Sequence, residues 1–416
     1  MATVLLLLDA LRHDYVSAEH TPFLYTTARE GTWYRQIVPA FGFCERTEIL
    51  TGLSPRDSGN FTAIGFDPAH SPYRGVHGLG TLAVLERLVP KKTCLPGSRR
   101  PGDYRRLYRR WAARWLLRGN KAPTLKPYDI PYNFLPYFAL TEDWADHREP
   151  GAFPHPSLLD QLAAEGKTYC YDSFTALNLP SGRSDDERLQ IALQQSRETD
   201  HDLYMIFVGE LDQLGHHHGP DSAELRHSLS DLDQRLAEFV QALGGPGSHN
   251  FVFLGDHGMS TVLARFDAEA VIHDHAKRLG LKPVRDFIYF LDSTLVRIWS
   301  MSEKAGTPLL TSIREDPSFR DHGRFVDEAL VQRLEIPWQD RRYGDLLWAA
   351  NQGVLVFPDF FHRDVPCRGM HGYSPEDSPD NMGTCIVTGR DIPRQETQKA
   401  PLREVYHILR RCIFGE

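Results

Sequence analysis

Long hydrophobic runs are missing from this 416-residue chain: the longest early stretch, Val4 to Leu8, is broken by Asp9 and then Arg12. It is too short for a membrane helix and has neither the basic flank nor the cleavage site of an export signal, so a cytoplasmic protein is expected. Cysteine is sparse as well, with 6 residues (44, 94, 170, 367, 385 and 412) and no C-x-x-C pair. That pattern builds neither a disulfide framework nor a zinc ribbon, and reduced thiols are expected. A cationic surplus is also absent, since 47 basic residues face 55 acidic ones for a formal charge of -8. Such a chain is a poor general binder of nucleic acid. There are no repeats or low-complexity tracts, and 41% hydrophobic with 25% charged residues suits a globular protein with a large core. The average hides one exception. Lys91 to Lys126 holds twelve Lys or Arg and a single acid, Asp103, a local +11 that leaves -19 for the rest.

What the chain does have is a repeated order of strand, acid and helix. Thr3 to Leu8 is apolar without alternation, as in a strand buried on both faces, and similar runs recur at Leu203 to Val208 and Phe251 to Leu254. Helical patterns occupy Pro22 to Glu30, Ser157 to Glu165, Asp186 to Arg197 and Ser222 to Leu243. The order predicts an α/β fold, a central mostly parallel sheet sandwiched by helices, with ligands gathered at the carboxyl ends of the strands. Residues 1–85 and 152–416 read as that framework. Residues 86–151, rich in Pro, Tyr, Trp and Arg and lacking strand-like runs, read as an inserted cap. Phe287 to Trp299 reads as a hairpin turning at Asp292-Ser293.

Each strand end carries metal-binding chemistry. Asp9 follows the first run, Asp212 and His216 the second, Asp256 and His257 the third, and His371 lies in a glycine-flanked turn. Carboxylates and neutral imidazoles are the donors that Zn²⁺ and Mn²⁺ accept, and two adjacent ions need about six of them. Singly, each has a blander account: Asp9 as a helix cap, Asp256-His257-Gly258 as a turn, His216-His217-His218 as a solvated loop. Four such segments together are harder to assign to chance.

These segments resemble, in order, the motifs of the alkaline phosphatase superfamily, in its type I phosphodiesterase/nucleotide pyrophosphatase branch. Leu8-Asp9-Ala10-Leu11-Arg12-His13-Asp14-Tyr15 is similar to the opening strand, and Thr21 through Gly31 to the helix after it. Glu210 through Pro220 resembles the second metal motif, Gly255 through Met259 the third, and Met370-His371-Gly372-Tyr373 the last. The resemblance covers almost everything outside 86–151. It implies one ion on Asp212, His216 and His371, another on Asp9, Asp256 and His257, and an alkaline-phosphatase-like fold. It also implies hydrolysis of phosphodiester or pyrophosphate bonds in a phosphorylated, nucleotide-like small molecule.

One position departs from the pattern. The superfamily's nucleophile, a Thr, Ser or modified Cys, lies nine residues before a Thr-Gly pair; here the pair is Thr51-Gly52 and the position is Gly42, with Pro39 in register. Three accounts stay open. Cys44 attacks if the helix starts two residues late, its thiolate then favoured at a helix N-terminus near metals. Alternatively, metal-activated hydroxide attacks directly, Glu45 acting as ligand or general base and Arg46 gripping the phosphate; a helix starting near Gly42 would put both on its face. In the third, catalysis is impaired and the chain is a metal-retaining binding protein. Phospho-group transfer and phosphomonoester or sulfate ester cleavage are further alternatives.

Within 103–118, Tyr104, Leu107, Tyr108, Trp111, Trp115 and Leu116 share one helical face, with arginines on the others. That segment either packs its aromatic stripe on the core, lies on an anionic membrane surface, or steers an anionic substrate. Nothing in the sequence fixes the oligomeric state or the choice between Zn²⁺ and Mn²⁺.

Overall fold

The computed structural model describes residues 1–89, 104–118, 125–172, 183–338 and 341–415. Cys94 and the basic flanks 91–103 and 119–124 lie outside the described residues. Seven strands form the central sheet: β1 (Thr3–Leu8), β2 (Thr32–Val38), β3 (Tyr169–Tyr171), β4 (Leu203–Val208), β5 (Asn250–Leu254), β6 (Gly383–Thr388) and β7 (Gln395–Pro401). Their order is β7-β2-β6-β5-β1-β4-β3. Neighbours are parallel throughout except at β6, which runs against β5 and β2. The mostly parallel sheet expected from the buried runs is therefore present.

β1 lies between β4 and β5, and its unbroken hydrophobicity follows from helices on both faces. Val4, Leu6 and Leu8 pack with Leu24, Leu225 and Leu229 in one layer; Leu5 and Leu7 pack with Ile49, Leu50 and Leu158 in the other. Each of these buried leucines contributes roughly 2 kcal/mol. Helix α1 (Pro22–Glu30) begins on a proline, as its expected boundary required. The helix Leu158–Ala164 is capped by Ser157 through a box with Asp160, and Ala223–Ala242 is capped by Ser222. Asp185–Glu198 matches its expected span to within a residue.

Two features were not foreseen. Residues 287–350 supply a separate four-stranded antiparallel sheet, Phe287–Leu291, Leu295–Ser300, Leu346–Ala350 and Gly323–Phe325, in which the expected hairpin is the first pair. Its last strand is three residues long, too short to leave a pattern. The stretch 86–151 also contains a strand: Phe138–Leu140 pairs with Ile64–Phe66, tying the end of this segment to the core. Helices α2 (Glu45–Thr51), α3 (Leu79–Leu88), α4 (Tyr104–Leu116) and α5 (Glu210–His218) are the remaining elements that frame the site.

Candidate metal centre

The carboxyl ends of β1, β4 and β5 lie side by side, so the residues that follow them converge. Asp9 extends β1 by donating its amide to the Val208 carbonyl at 2.9 Å. β4 passes through Gly209 into α5, where Asp212 and His216 are four residues apart on one face; His216 Nε2 lies 3.2 Å from Asp212 Oδ1. β5 passes through Gly255 to Asp256 and His257. Gly255 is required there, because a Cβ would fall 2.1 Å from the Leu11 carbonyl oxygen of the β1 loop. His257 Nε2 comes to 3.2 Å from Asp9 Oδ1, and His371 Nε2 to 3.6 Å from Asp212 Oδ1. The rings of His257 and His371 stack 3.9 Å apart, 7° from parallel.

These donors form two overlapping groups, Asp212–His216–His371 and Asp9–Asp212–His257. An ion held tetrahedrally at about 2.1 Å needs donors about 3.4 Å apart, and the 3.2 and 3.6 Å separations bracket that value. Ring orientation is set from outside: His216 Nδ1 lies 2.9 Å from the Gly369 carbonyl, and His257 Nδ1 2.9 Å from that of Gly258. Each carbonyl accepts the Nδ1 proton and turns Nε2 inward. Asp212 Oδ1 is buried and makes no hydrogen bond, as expected of a site shaped for another partner. Asp256 has one oxygen committed elsewhere. Its Oδ1 accepts from the His257 amide at 3.0 Å, and its Oδ2 lies 4.0 Å from His257 Nε2.

The electrostatics suit cations. Burial opposes charge on His257, yet Asp256, Asp9 and Glu45 outweigh it and raise its basicity well above the ordinary value. His216 is raised in the same way by Asp212. Burial, then the positive charge of His257, depresses His371. Burial pushes Asp256 up to about 6 and Asp9 upward also.

The expected helix start near Gly42 is corrected. Gly42 has φ +109°, Phe43 donates its amide to the Phe61 carbonyl at 2.8 Å, and α2 begins only at Glu45, with Cys44 as its N-cap. A Cβ on Gly42 would lie 2.1 Å from the Phe61 carbonyl oxygen and 2.8 Å from its ring. No side chain fits. Cys44 is 2% exposed, and burial, then Glu48, Glu142 and Glu45, raise its thiol well above the ordinary value, opposite to the depression expected at a helix terminus. Glu45 is buried and carries charge within reach of His257 and Asp256. Arg46 lies 3.4 Å from Glu45 Oε2, and its charge acts on Asp9, Asp256 and His371.

Several residues around the site had no signal in the sequence. Glu142 accepts the Thr47 amide, and with Asp143 and Glu45 it surrounds Arg46. Burial raises the Cys367 thiol, but hydrogen bonds from His216 and His362 bring it down to about 6. His362, held by Asp359, lies on a cleft of about 1200 Å³ that runs from His217 to Arg106, Arg110 and Lys126. These groups lie within a few residues of a motif or far from all of them, and only the fold brings them together.

An α/β sheet with two carboxylate–imidazole clusters at its carboxyl edge defines a candidate binuclear metal protein. The chain belongs to the type I phosphodiesterase/nucleotide pyrophosphatase family, whose sequence model matches residues 3–75 and 137–374. The match leaves out 76–136, where α3 and α4 lie. Among solved structures, the fold is similar to human ectonucleotide pyrophosphatase/phosphodiesterase 5, at 15% identity and a TM-score of 0.66, covering 100% of this chain and 95% of that one. The murine protein of the same name matches at a TM-score of 0.65 and 15% identity, as does its inactive threonine-to-alanine form in complex with AMP.

Proposed function

We propose that this chain hydrolyses phosphodiester or pyrophosphate bonds of a nucleotide-like small molecule without a covalent intermediate. The observation that carries this reading is the convergence of Asp9, Asp212, His216, His257 and His371 beside a position 42 that admits no side chain. Asp212, His216 and His371 would hold one divalent ion and Asp9, Asp256 and His257 the other, Zn²⁺ or Mn²⁺ by donor type. Bound there, the ions supply charge neutralisation on the phosphoryl group and a lowered pKa for water. The chain's own part is positioning and proton transfer. Glu45, buried and with its carboxyl raised by that burial, would take the proton of the attacking water. The Arg46 guanidinium, fixed among Glu45, Glu142 and Asp143, offers a rigid fork to phosphoryl oxygens. Cys44 stays protonated and packs. The AMP bound by the murine relative supports a nucleotide-like substrate.

The missing side chain at position 42 also supports a second reading, a metal-retaining binding protein. Turnover of bis(p-nitrophenyl) phosphate separates them, alongside p-nitrophenyl phosphate and sulfate to cover monoester and sulfate chemistry. Hydrolysis of the diester that survives Cys44→Ala and falls at least about 100-fold in Glu45→Gln is expected. Metal-loaded protein inert on all three esters favours binding. Loss on Cys44→Ala with the metals retained sinks the direct mechanism.

A further inference from the structure

Half of the twelve large apolar side chains exposed in the described residues sit on two neighbouring helices: Val84, Leu85 and Leu88 on α3, and Leu107, Trp111 and Trp115 on α4. Leu88 is 74% exposed, Leu107 58% and Trp111 57%. α4 is not loosely attached. Its inner face buries Ala112 and Leu116, Tyr108 donates to the Leu82 carbonyl at 2.9 Å, and Arg109 pairs with Glu86 at 2.5 Å and Asp129 at 3.0 Å. The aromatic stripe expected to share one face is therefore split: Tyr108 turns inward, and Leu107, Trp111 and Trp115 turn out. α4 also carries five arginines and no acid. Arg110 and Arg114 are exposed and meet no carboxylate within ion-pair distance among the described residues.

We infer that the α3–α4 surface docks on an anionic lipid bilayer, lying in its interface. The chemistry selects this occupant. A second copy of the same face would set arginines against arginines. Nucleic acid would satisfy the arginines but give Val84, Leu85 and Leu88 nothing to contact. Exposed Trp and Leu beside unpaired Arg is the combination an interfacial helix uses, apolar groups entering the acyl boundary and cations meeting lipid phosphates. No helix among the described residues is long and apolar enough to cross a membrane, so contact is with one leaflet. The family match leaves out 76–136, so the surface is additional to the matched framework.

The test is co-sedimentation of the full chain with vesicles of phosphatidylcholine alone and of phosphatidylcholine mixed with phosphatidylglycerol, followed by tryptophan emission. Partition onto the mixed vesicles only, weakened by salt and accompanied by a blue shift, is expected. Arg110→Ala with Arg114→Ala is expected to weaken partition about 25-fold, at about fivefold per arginine. Trp111→Ala with Trp115→Ala is expected to weaken it at least about tenfold and to abolish the blue shift. All four side chains are exposed, and an unchanged thermal melt certifies that both variants fold. Absence of partition, or partition unchanged in both variants, overturns the inference. So does concentration-dependent self-association or oligonucleotide binding that depends on the same residues while vesicles do not bind.

Discussion

Placing a threonine at position 42 is expected to damage this protein rather than to supply it with a working nucleophile. A Cβ at Gly42 meets the Phe61 carbonyl oxygen at 2.1 Å, and that oxygen already accepts the Phe43 amide; Phe61 itself is fully buried and cannot swing away. Overpacking of this kind costs about 1–3 kcal/mol. The backbone at φ +109° lies outside the regions an L-residue occupies, adding about 1–3 kcal/mol more, and a β-branched residue sits at the upper end. Gly42→Thr is thus expected to lose about 2–6 kcal/mol from a total that for ordinary domains is about 5–15 kcal/mol. Urea denaturation followed by far-UV circular dichroism reads the loss, with Gly42→Ala, which makes the same Cβ contact, showing most of it. Diester turnover is expected to fall in both variants. A Gly42→Thr protein that unfolds at the wild-type midpoint and turns over faster through a phosphoenzyme would refute both the strain and the direct mechanism.

Two further outcomes test the framework. Asp233, from the helix Ala223–Ala242, accepts the Phe23 and Leu24 amides at 2.8 and 2.9 Å and so caps α1 from outside. Asp233→Ala leaves those two donors without their partner and is expected to cost about 2–4 kcal/mol by urea denaturation, with Asp233→Asn recovering part of it. Glu48 is 2% exposed and burial pushes its carboxyl up to about 8, so the folded state keeps a proton that the unfolded state releases near 4.5. The stability Glu48 contributes is full below pH 4.5 and is lost at about 1.4 kcal/mol per pH unit until about pH 8. Glu48→Gln, neutral throughout, is expected to flatten that slope by one proton's worth in melts across the range. An unchanged slope would place the proton elsewhere.

Much of the site was legible because its residues follow buried strands directly. The continuous apolar runs ending in Asp9, Glu210 and Gly255 mark the carboxyl edge, and Asp212 and His216 are matched by helical spacing alone. Ser157 and Ser222 marked helix starts because capping is a local interaction. What was hidden is what tertiary packing decides. Gly42 breaks the helix through its contact with Phe61, nineteen residues on, so α2 takes the later of the two starts the sequence left open, with Cys44 as its cap. Cys44 lost its expected activation to burial first, then to Glu48 and to Glu142, which arrives from a distant strand end. The two faces of α4 could not be told apart by periodicity, since Tyr108 and Trp111 are equally apolar and only the position of α3 separates them.

The most direct test of the central claim is titration of chelator-stripped protein with Mn²⁺ or Zn²⁺, recording bound metal, released protons and diester hydrolysis together. The two clusters predict two equivalents bound, protons released as His216 and His257 give up theirs, and hydrolysis that appears as the second equivalent fills. Two equivalents bound with no hydrolysis, or hydrolysis that persists in the stripped protein, would contradict it.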